Sequence, residues 1–352
     1  FPLGLRRSMG LFGRNKSVIG LDIGSGFIKV VEVDHSGDQP EVVRVAMRPL
    51  LPDAIVEGEI MDYGLVSDAV SGLFSEIGMK GAEVVTAVGG HDVIIKKIEM
   101  DRMREGDARE VIKWEAEQHV PFDIKSVEID FQILDPEGDG LQMEVLLVAA
   151  KRELVDNKVG LLQDAGVEPI VIDVDAFALH NAFEHNYPDA LDGIVALVNV
   201  GHETTNVSIL EDGVPILTRD IPFGSRKIRE DLQRERGLTA EQAEDVVQAR
   251  ETADDLDSFV ASSADEIAVG IERASAFLMT REDGNSVGRI FLSGGGARIP
   301  GMAESLARRM NVETEIVNPF ERVPVRPDAA GEISIDEAAP MLLLPLGLAL
   351  RA

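Results

Sequence analysis

Three glycine-bearing segments hold the residues with chemistry to offer. The first is Asp22-Ile23-Gly24-Ser25-Gly26, at the turn of an expected β-hairpin. Glycines in a tight turn let backbone N–H groups approach a phosphate with no Cβ in the way. Ser25 adds a hydroxyl donor. Asp22, at the strand end, is a candidate to hold Mg²⁺ through water, because that ion keeps much of its hydration shell. The segment is not a Walker loop: it has no Gly-Lys-Ser/Thr, and its glycines precede a strand rather than a helix. An ordinary hairpin turn accounts for such glycines equally well.

The second segment is Asn199-Val200-Gly201-His202-Glu203-Thr204-Thr205, again a turn between two expected strands. It presents the Gly201 amide and the hydroxyls of Thr204 and Thr205 to a phosphate from the opposite side. The third is Leu292-Ser293-Gly294-Gly295-Gly296-Ala297-Arg298-Ile299-Pro300. A buried strand that delivers three glycines before a helix allows close backbone approach to a ribose or a flat ring. Arg298 is placed to stack on a base.

The elements around these segments repeat. VIGLDIGSGFIKVVEVDHSG laid over IVALVNVGHETTNVSILEDG shows one plan twice: apolar strand, glycine turn, strand, polar glycine turn. Such recurrence points to duplicated domains facing one another, so that two matching turns become a two-sided clamp. Strands are expected at 41–49, 84–88, 93–100, 127–134, 143–150, 169–173, 206–210, 214–220, 289–293 and 312–317. Helices are expected at 62–77, 105–119, 153–165, 177–183, 225–236, 240–253, 259–279, after Pro300, and at 342–350. The expected organisation is a flexible segment at 1–16, a first domain at 17–192 and a second at 193–337, with a C-terminal helix at 338–352 returning to the first. Residues 91–172, with two helices and several strands, read as an inserted α/β subdomain. Residues 323–330 read as a proline-rich surface segment. Trp114, the only tryptophan, reads first as a core residue, and His119 as structural, because no second ligand accompanies it at metal spacing.

Composition limits the function classes. At 352 residues and 45% hydrophobic content the chain can bury two cores of ordinary size. A net charge of -29 repels phosphate backbones and anionic head groups, which disfavours nucleic acid and bare membrane as partners. The absence of cysteine excludes disulfides and thiolate chemistry and suits a reducing compartment. No apolar run reaches the roughly 20 residues of a spanning helix, so a soluble, cytoplasmic protein is expected. Residues 1–8 precede Met9 and read as an upstream extension. Leu11 and Phe12, beside Arg14 and Lys16, are candidates for a lipid or partner contact, with a disordered tail the preferred reading.

As a set and in order, the three segments resemble the two phosphate motifs and the adenosine motif of the actin, heat-shock-seventy and hexokinase superfamily. Within it the sequence is similar to the PilM family of type IV pilus assembly. The likeness runs from about Leu11 to Arg351 and includes VIKWEAEQHVPF (111–122), VEIDFQIL (127–134), RDIPFGSRKI, LSGGGARIPGM and LGLALR. The 111–134 pair discriminates best, because general actin-fold ATPases lack it. FtsA, a related family with a similar insertion, continues into a linker and an amphipathic membrane helix. Neither occurs up to Ala352, which favours the PilM resemblance.

The resemblance implies an α/β, actin-like (ribonuclease H-like) fold that binds ATP and Mg²⁺ between duplicated domains. It also implies a cytoplasmic scaffold at the inner face of the inner membrane. Such a scaffold grips the N-terminal cytoplasmic peptide of a PilN-like bitopic membrane protein and meets other pilus assembly proteins. An acidic chain suits a basic juxtamembrane peptide. Two departures bear on catalysis. The second phosphate motif of the superfamily usually begins with Asp, whereas this chain has Asn199, and an amide is no base. FtsA-like members carry a Lys where Val247 stands, while Glu244 is kept for a ribose hydroxyl. Nucleotide binding with slow or absent hydrolysis is therefore expected. A sugar-kinase-type phosphotransferase, which needs a catalytic Asp, and an FtsA-like filament-forming ATPase are the alternatives.

Overall fold

The computed structural model describes residues 17–248, 250–251, 256–276, 278 and 286–351. The expected flexible segment 1–16, with Leu11 and Phe12, lies outside the described residues. The chain opens with three antiparallel strands, β1 (Ser17–Ile23), β2 (Phe27–Asp34) and β3 (Glu41–Pro49). A small hairpin follows, β4 (Ile55–Val56) with β5 (Glu59–Ile60), then α1 (Tyr63–Glu76) and β6 (Glu83–Val88). Asp62 caps α1 by accepting from the Leu65 N–H, which satisfies one orphan donor of the first turn.

A separate sheet comes next, of order β7-β9-β8, made of β7 (Val93–Asp101), β8 (Val127–Ile133) and β9 (Gln142–Lys151), with α2 (Glu105–Ala116) packed on it. Then α3 (Arg152–Asp164), β10 (Glu168–Val174) and α4 (Asp175–Asn186) rejoin the first sheet, whose order is β10-β6-β1-β2-β3. The insertion boundary expected at 172 is corrected by this topology: β10 pairs in parallel with β6, so the added sheet closes with β9.

The plan then recurs. β11 (Ile194–Val200), β12 (Thr205–Glu211) and β13 (Val214–Ile221) are antiparallel neighbours, followed by α5 (Ser225–Arg236), α6 (Ala240–Val247) and α7 (Leu256–Ser275). β14 (Arg289–Ser293), α8 (Met302–Met310) and β15 (Glu313–Ile316) complete a sheet of order β13-β12-β11-β14-β15. Three antiparallel strands followed by two parallel ones, in the same order, appear in both sheets. The central strands β6 and β11 are near-continuous apolar runs because helices cover both faces of the sheets. Helix α6 ends at Val247, short of the expected 253, and α7 begins at Leu256; residues 249, 252–255, 277 and 279–285 lie outside the described ones.

The chain returns to the first sheet earlier than residue 338. Val42 and Val325 form a parallel bridge, the Val42 N–H donates to Pro324 O, and the Arg326 N–H donates to Val42 O. The expected surface segment 323–330 is thus corrected: it covers the open edge of β3, with Val323 wholly buried. Finally α9 (Ile335–Ala338) and α10 (Leu343–Ala349) follow, and α10 is buried on every side, against α4 and β1. A Cβ on Gly347 would sit 1.7 Å from Ala178 O and one on Gly20 would sit 2.0 Å from Pro345 O, so both glycines are what lets this helix lie flat. A third correction concerns Trp114, which stands 69% exposed on α2 rather than in the core.

Candidate functional site

The strand order sets where a site can form. In open sheets with parallel strands, ligands bind in the crevice beyond the carboxyl ends of those strands. Here β1, β6 and β10 end at Ile23, Val88 and Val174, and β11 and β14 end at Val200 and Ser293. The residues that follow each end, Gly24, Gly89, Asp175, Gly201 and Gly294, all line one cavity of about 560 Å³ between the two sheets. All three glycine segments singled out in the sequence therefore open on a shared space.

The two phosphate-type turns are built alike. The Gly24 N–H donates to Phe27 O at 3.1 Å, and the Gly201 N–H donates to Thr204 O at 2.9 Å. Both glycine amides therefore close their own turns and are not offered to a ligand, which corrects the expectation for Gly201. The cavity is lined by Asp22, Gly24, Ser25 and Gly26 from one turn, and by Asn199, Gly201 and Thr204 from the other. Thr205 is excluded: its buried hydroxyl donates to Phe223 O at 2.8 Å.

In the third segment the glycines divide their work. Gly294 (φ 86°) and Gly296 lie so close to β11 that added Cβ atoms would meet Val200 at 2.4 and 2.2 Å. Gly295 alone of the three has room for a Cβ, in ordinary contact with Met341 Sδ at 3.7 Å, and it lines the cavity with Arg298. Gly296 is thus a packing residue and does not line the cavity.

Residues opposite each other in the hairpin registers extend the polar lining. Asp22 pairs with Lys29 across β1 and β2, and their side chains form an ion pair. Asn199 pairs with Asn206 across β11 and β12, with Asn199 Nδ2 donating to Asn206 Oδ1 at 3.2 Å. Ser293 Oγ donates to Asn199 Oδ1 at 3.3 Å, and Asn206 Nδ2 donates to Asp220. The carboxylate missing at position 199 thus reappears two strands away, at Asp220, which lines the cavity.

More distant elements bring Lys158 of α3 and Asp175 at the start of α4 to the same space. Burial raises the Asp175 carboxyl to about 7, and the nearby Asp22 charge pushes the same way. Burial raises Asp220, opposed by the hydrogen bond from Asn206. Burial lowers Lys158, opposed by Asp175 and Asp22. Three carboxylates and two amides supply a hard-oxygen donor set of the kind Mg²⁺ takes, and the two lysines supply counter-charges for phosphates. Asp22, expected alone as the metal residue, is one of several oxygen donors there.

On the other wall, Arg229 of α5 joins Glu244 of α6 to His202. Burial drives the His202 imidazole down to about 4, helped by Arg229, so the ring is neutral near pH 7. For Glu244, burial acts upward, but the Arg229 charge and hydrogen bonds outweigh it and hold the carboxyl low. Glu244, expected to serve a ribose, is already engaged by Arg229 and Gln248.

Sequence reading missed Lys29, Asp220, Lys158, Asp175, His202 and Arg229. For Lys29 the hairpin register was a usable signal, since it faces Asp22, whereas Asp220 faces Asn206, which is reached only through Asn199. For Lys158 and Asp175 only the packing of α3 and α4 reveals them.

Comparison with known proteins supports the architecture. The solved PilM-PilN type IV pilus biogenesis complex is 29% identical with a TM-score of 0.82, covering 96% of this chain and 99% of that one. Ethanolamine utilization protein EutJ from Carboxydothermus hydrogenoformans is 18% identical with a TM-score of 0.58 over 99% of this chain and 94% of its own. MreB 5 of Spiroplasma citri bound to AMPPNP is 14% identical with a TM-score of 0.50 over 95% of both chains, and these two show the fold alone. Cell division protein FtsA of Bacillus subtilis (strain 168) is 23% identical over 256 residues, 66% of this chain, and the match spans only 57% of FtsA. The sequence profile of the family described as type IV pilus assembly protein PilM matches residues 20–352, and the chain belongs to that family.

Proposed function

We propose that this protein binds a nucleoside triphosphate with Mg²⁺ in the cavity and acts as a cytoplasmic adaptor for the N-terminal peptide of a PilN-like membrane protein. The carrying observation is the convergence of three glycine segments on one cavity, with Lys29 and Lys158 facing it alongside Asp22, Asp175 and Asp220. The lysines hold phosphate oxygens, the carboxylates orient the metal's water shell, and Gly295 and Arg298 lie at the base and ribose end. ATP is the nucleotide of choice on the resemblance of the adenosine segment.

Hydrolysis is slow in this reading, because the Asn199 amide held by Ser293 and Asn206 accepts no proton. One observation favours a second reading, catalysed phosphoryl transfer: Asp175, raised to about 7, is suited to accept a proton near neutral pH. Fluorescent-nucleotide titration combined with steady-state turnover decides between them. Micromolar binding with turnover below roughly 0.01 per second supports the adaptor, and turnover of order 1 per second supports the enzyme.

The partner peptide is assigned to the inserted sheet. A groove between α2 and β8 is lined by Lys113, Ile124, Lys125, Val127, Glu128, Ile129 and Arg152, and the next residue of α2 after Lys113 is the exposed Trp114. Arg152 is already paired with Glu128 at 2.8 Å, so Lys113 and Lys125 flank the apolar positions and suit an apolar peptide with an acidic or amide group. Among the described residues no helix is long and apolar enough to cross a membrane, so a place at the inner membrane comes through such a partner. Isothermal titration with a synthetic PilN-type N-terminal peptide tests this; the absence of saturable binding overturns it.

A further inference from the structure

A short hairpin reaches across the cavity from the first sheet's side to the second. Ile55, Glu57, Gly58, Glu59 and Ile60 line the cavity on one side. Across from them, His202 and Thr204 line it on either side of Glu203, and Ser225 and Arg229 line it on either side of Arg226. The Glu57 N–H donates to Glu203 Oε2 at 2.7 Å. Arg226 Nη1 donates to Glu203 Oε1 at 2.7 Å and pairs with Asp53 Oδ1 at 2.8 Å. Glu230, one turn along α5, holds Arg226 Nε at 2.7 Å and aims the guanidinium at the hairpin.

Asp53 (φ 62°) and Glu57 (φ 50°) both occupy the left-handed region, which a Cβ disfavours. Glu57 and Gly58 (φ 88°) form the two-residue turn of the β4–β5 hairpin, where positive φ at both positions is the usual geometry, so the turn keeps its own shape and presents the Glu57 N–H to Glu203. The Glu203 side chain is only 9% exposed, so its two bonds are the strong part of the contact. Asp53, 66% exposed, contributes a weaker, salt-screened pair.

From this geometry we infer that Glu203 and Arg226 form a latch that closes the cavity over a bound nucleotide and sets the rate of its release. The inference rests on the nucleotide reading given above and adds the gate to it. Departure of the ligand requires the Glu57–Glu203 bond and the Arg226 pairs to break together, which frees the hairpin to swing away as a unit. The same contact couples the state of the cavity to the angle between the two sheets, since no covalent segment enforces it there.

Two measurements on the full chain test this. Stopped-flow release of a fluorescent ATP analogue is compared for the unmodified protein, Arg226→Ala, Glu203→Ala and the double variant. Release is expected to quicken about tenfold in each single variant, with no further gain in the double, because both residues serve one link. Separately, the chain has no cysteine, so spin labels at Met61→Cys and Arg234→Cys report the span of the latch without background. A narrow distance distribution is expected, broadening to longer distances on Arg226→Ala. Unchanged release together with an unchanged distribution overturns the latch. If the unmodified protein takes up no nucleotide, the nucleotide reading falls, and the distance measurement alone decides whether the latch exists.

Discussion

Gly26 and His202, from the turns of two different sheets, touch across the cavity: a Cβ built on Gly26 would lie 3.1 Å from both Cβ and Cγ of His202. The two phosphate-type turns therefore stand in van der Waals contact, and the neutral imidazole, held by Arg229, forms the surface on which Gly26 rests. Nothing wider than hydrogen fits between them without moving one turn.

That contact makes a direct prediction. Gly26→Ala pushes the turns apart by a few tenths of an ångström and weakens nucleotide binding by about tenfold, a loss of ~1.4 kcal/mol. Its structural origin is checked with His202→Ala in the same chain, which makes room for the methyl and recovers most of the affinity in a fluorescence titration.

The raised Asp175 carboxyl gives the cavity a pH dependence. With EDTA present to remove divalent metal, triphosphate affinity is expected to rise about threefold to tenfold from pH 8 to pH 6, as Asp175 gains a proton near 7 and stops repelling the phosphates. Asp175→Asn flattens that profile. Stability follows the same sign. Asp173 and Asp175 both have folded values raised to about 7, so their stabilising contribution is complete below the ordinary value of 3.8 and is lost as pH rises through about 7. His202, lowered to about 4, contributes above 6.5 and loses that contribution as pH falls through 4. The ligand-free melting temperature is expected to fall between pH 6 and 8, read by differential scanning fluorimetry.

Arg351, near the end of the chain, pairs with the wholly buried Asp173 of β10 at 2.8 Å and fastens the segment after α10 to the first sheet. Burial brings the Arg351 guanidinium down to about 10, and the Asp173 carboxylate beside it works the other way. Arg351→Ala removes the cation and costs about 3 kcal/mol at pH 8, the scale for breaking a buried ion pair. The loss shrinks at pH 5.5, where Asp173 is protonated, and the double variant with Asp173→Asn recovers most of it. Urea unfolding at the two pH values measures each step.

Trp114 is exposed on α2, the residue after Lys113, which lines the α2–β8 groove. Trp114→Ala is expected to lower affinity for a PilN-type peptide by tenfold or more, as aromatic anchors do, with the melting temperature changed by less than about 2 °C, since the ring buries little in the free protein. A stability loss in place of an affinity loss refutes the anchor role.

How much of this was legible in the sequence depends on the range of the interaction. The duplicated strand–turn–strand plan was readable because strands and glycine turns are written in local periodicity, and both sheets then took one strand order. Lys29 was readable in principle, because a hairpin places it opposite Asp22. The roles of Gly294 and Gly296 against Val200 were not, since close approach of two strands leaves the same letters as a ligand-binding glycine loop. The spacing of Ala108, Ile112 and Ala116 on α2 was the usable signal for Trp114, which falls on the opposite side of the helix from that stripe.

By itself the sequence determined the element types, the recurrence, the family and the three glycine segments, because each is a property of short stretches and their order. Tertiary structure alone decided that Lys158, Asp175 and Asp220 meet those segments, that β10 belongs to the first sheet, and that Arg226 reaches Asp53 and Glu203. These depend on which distant strand ends face one crevice, and charges separated by up to 173 residues in the chain, as Asp53 and Arg226 are, leave no mark on each other's local pattern.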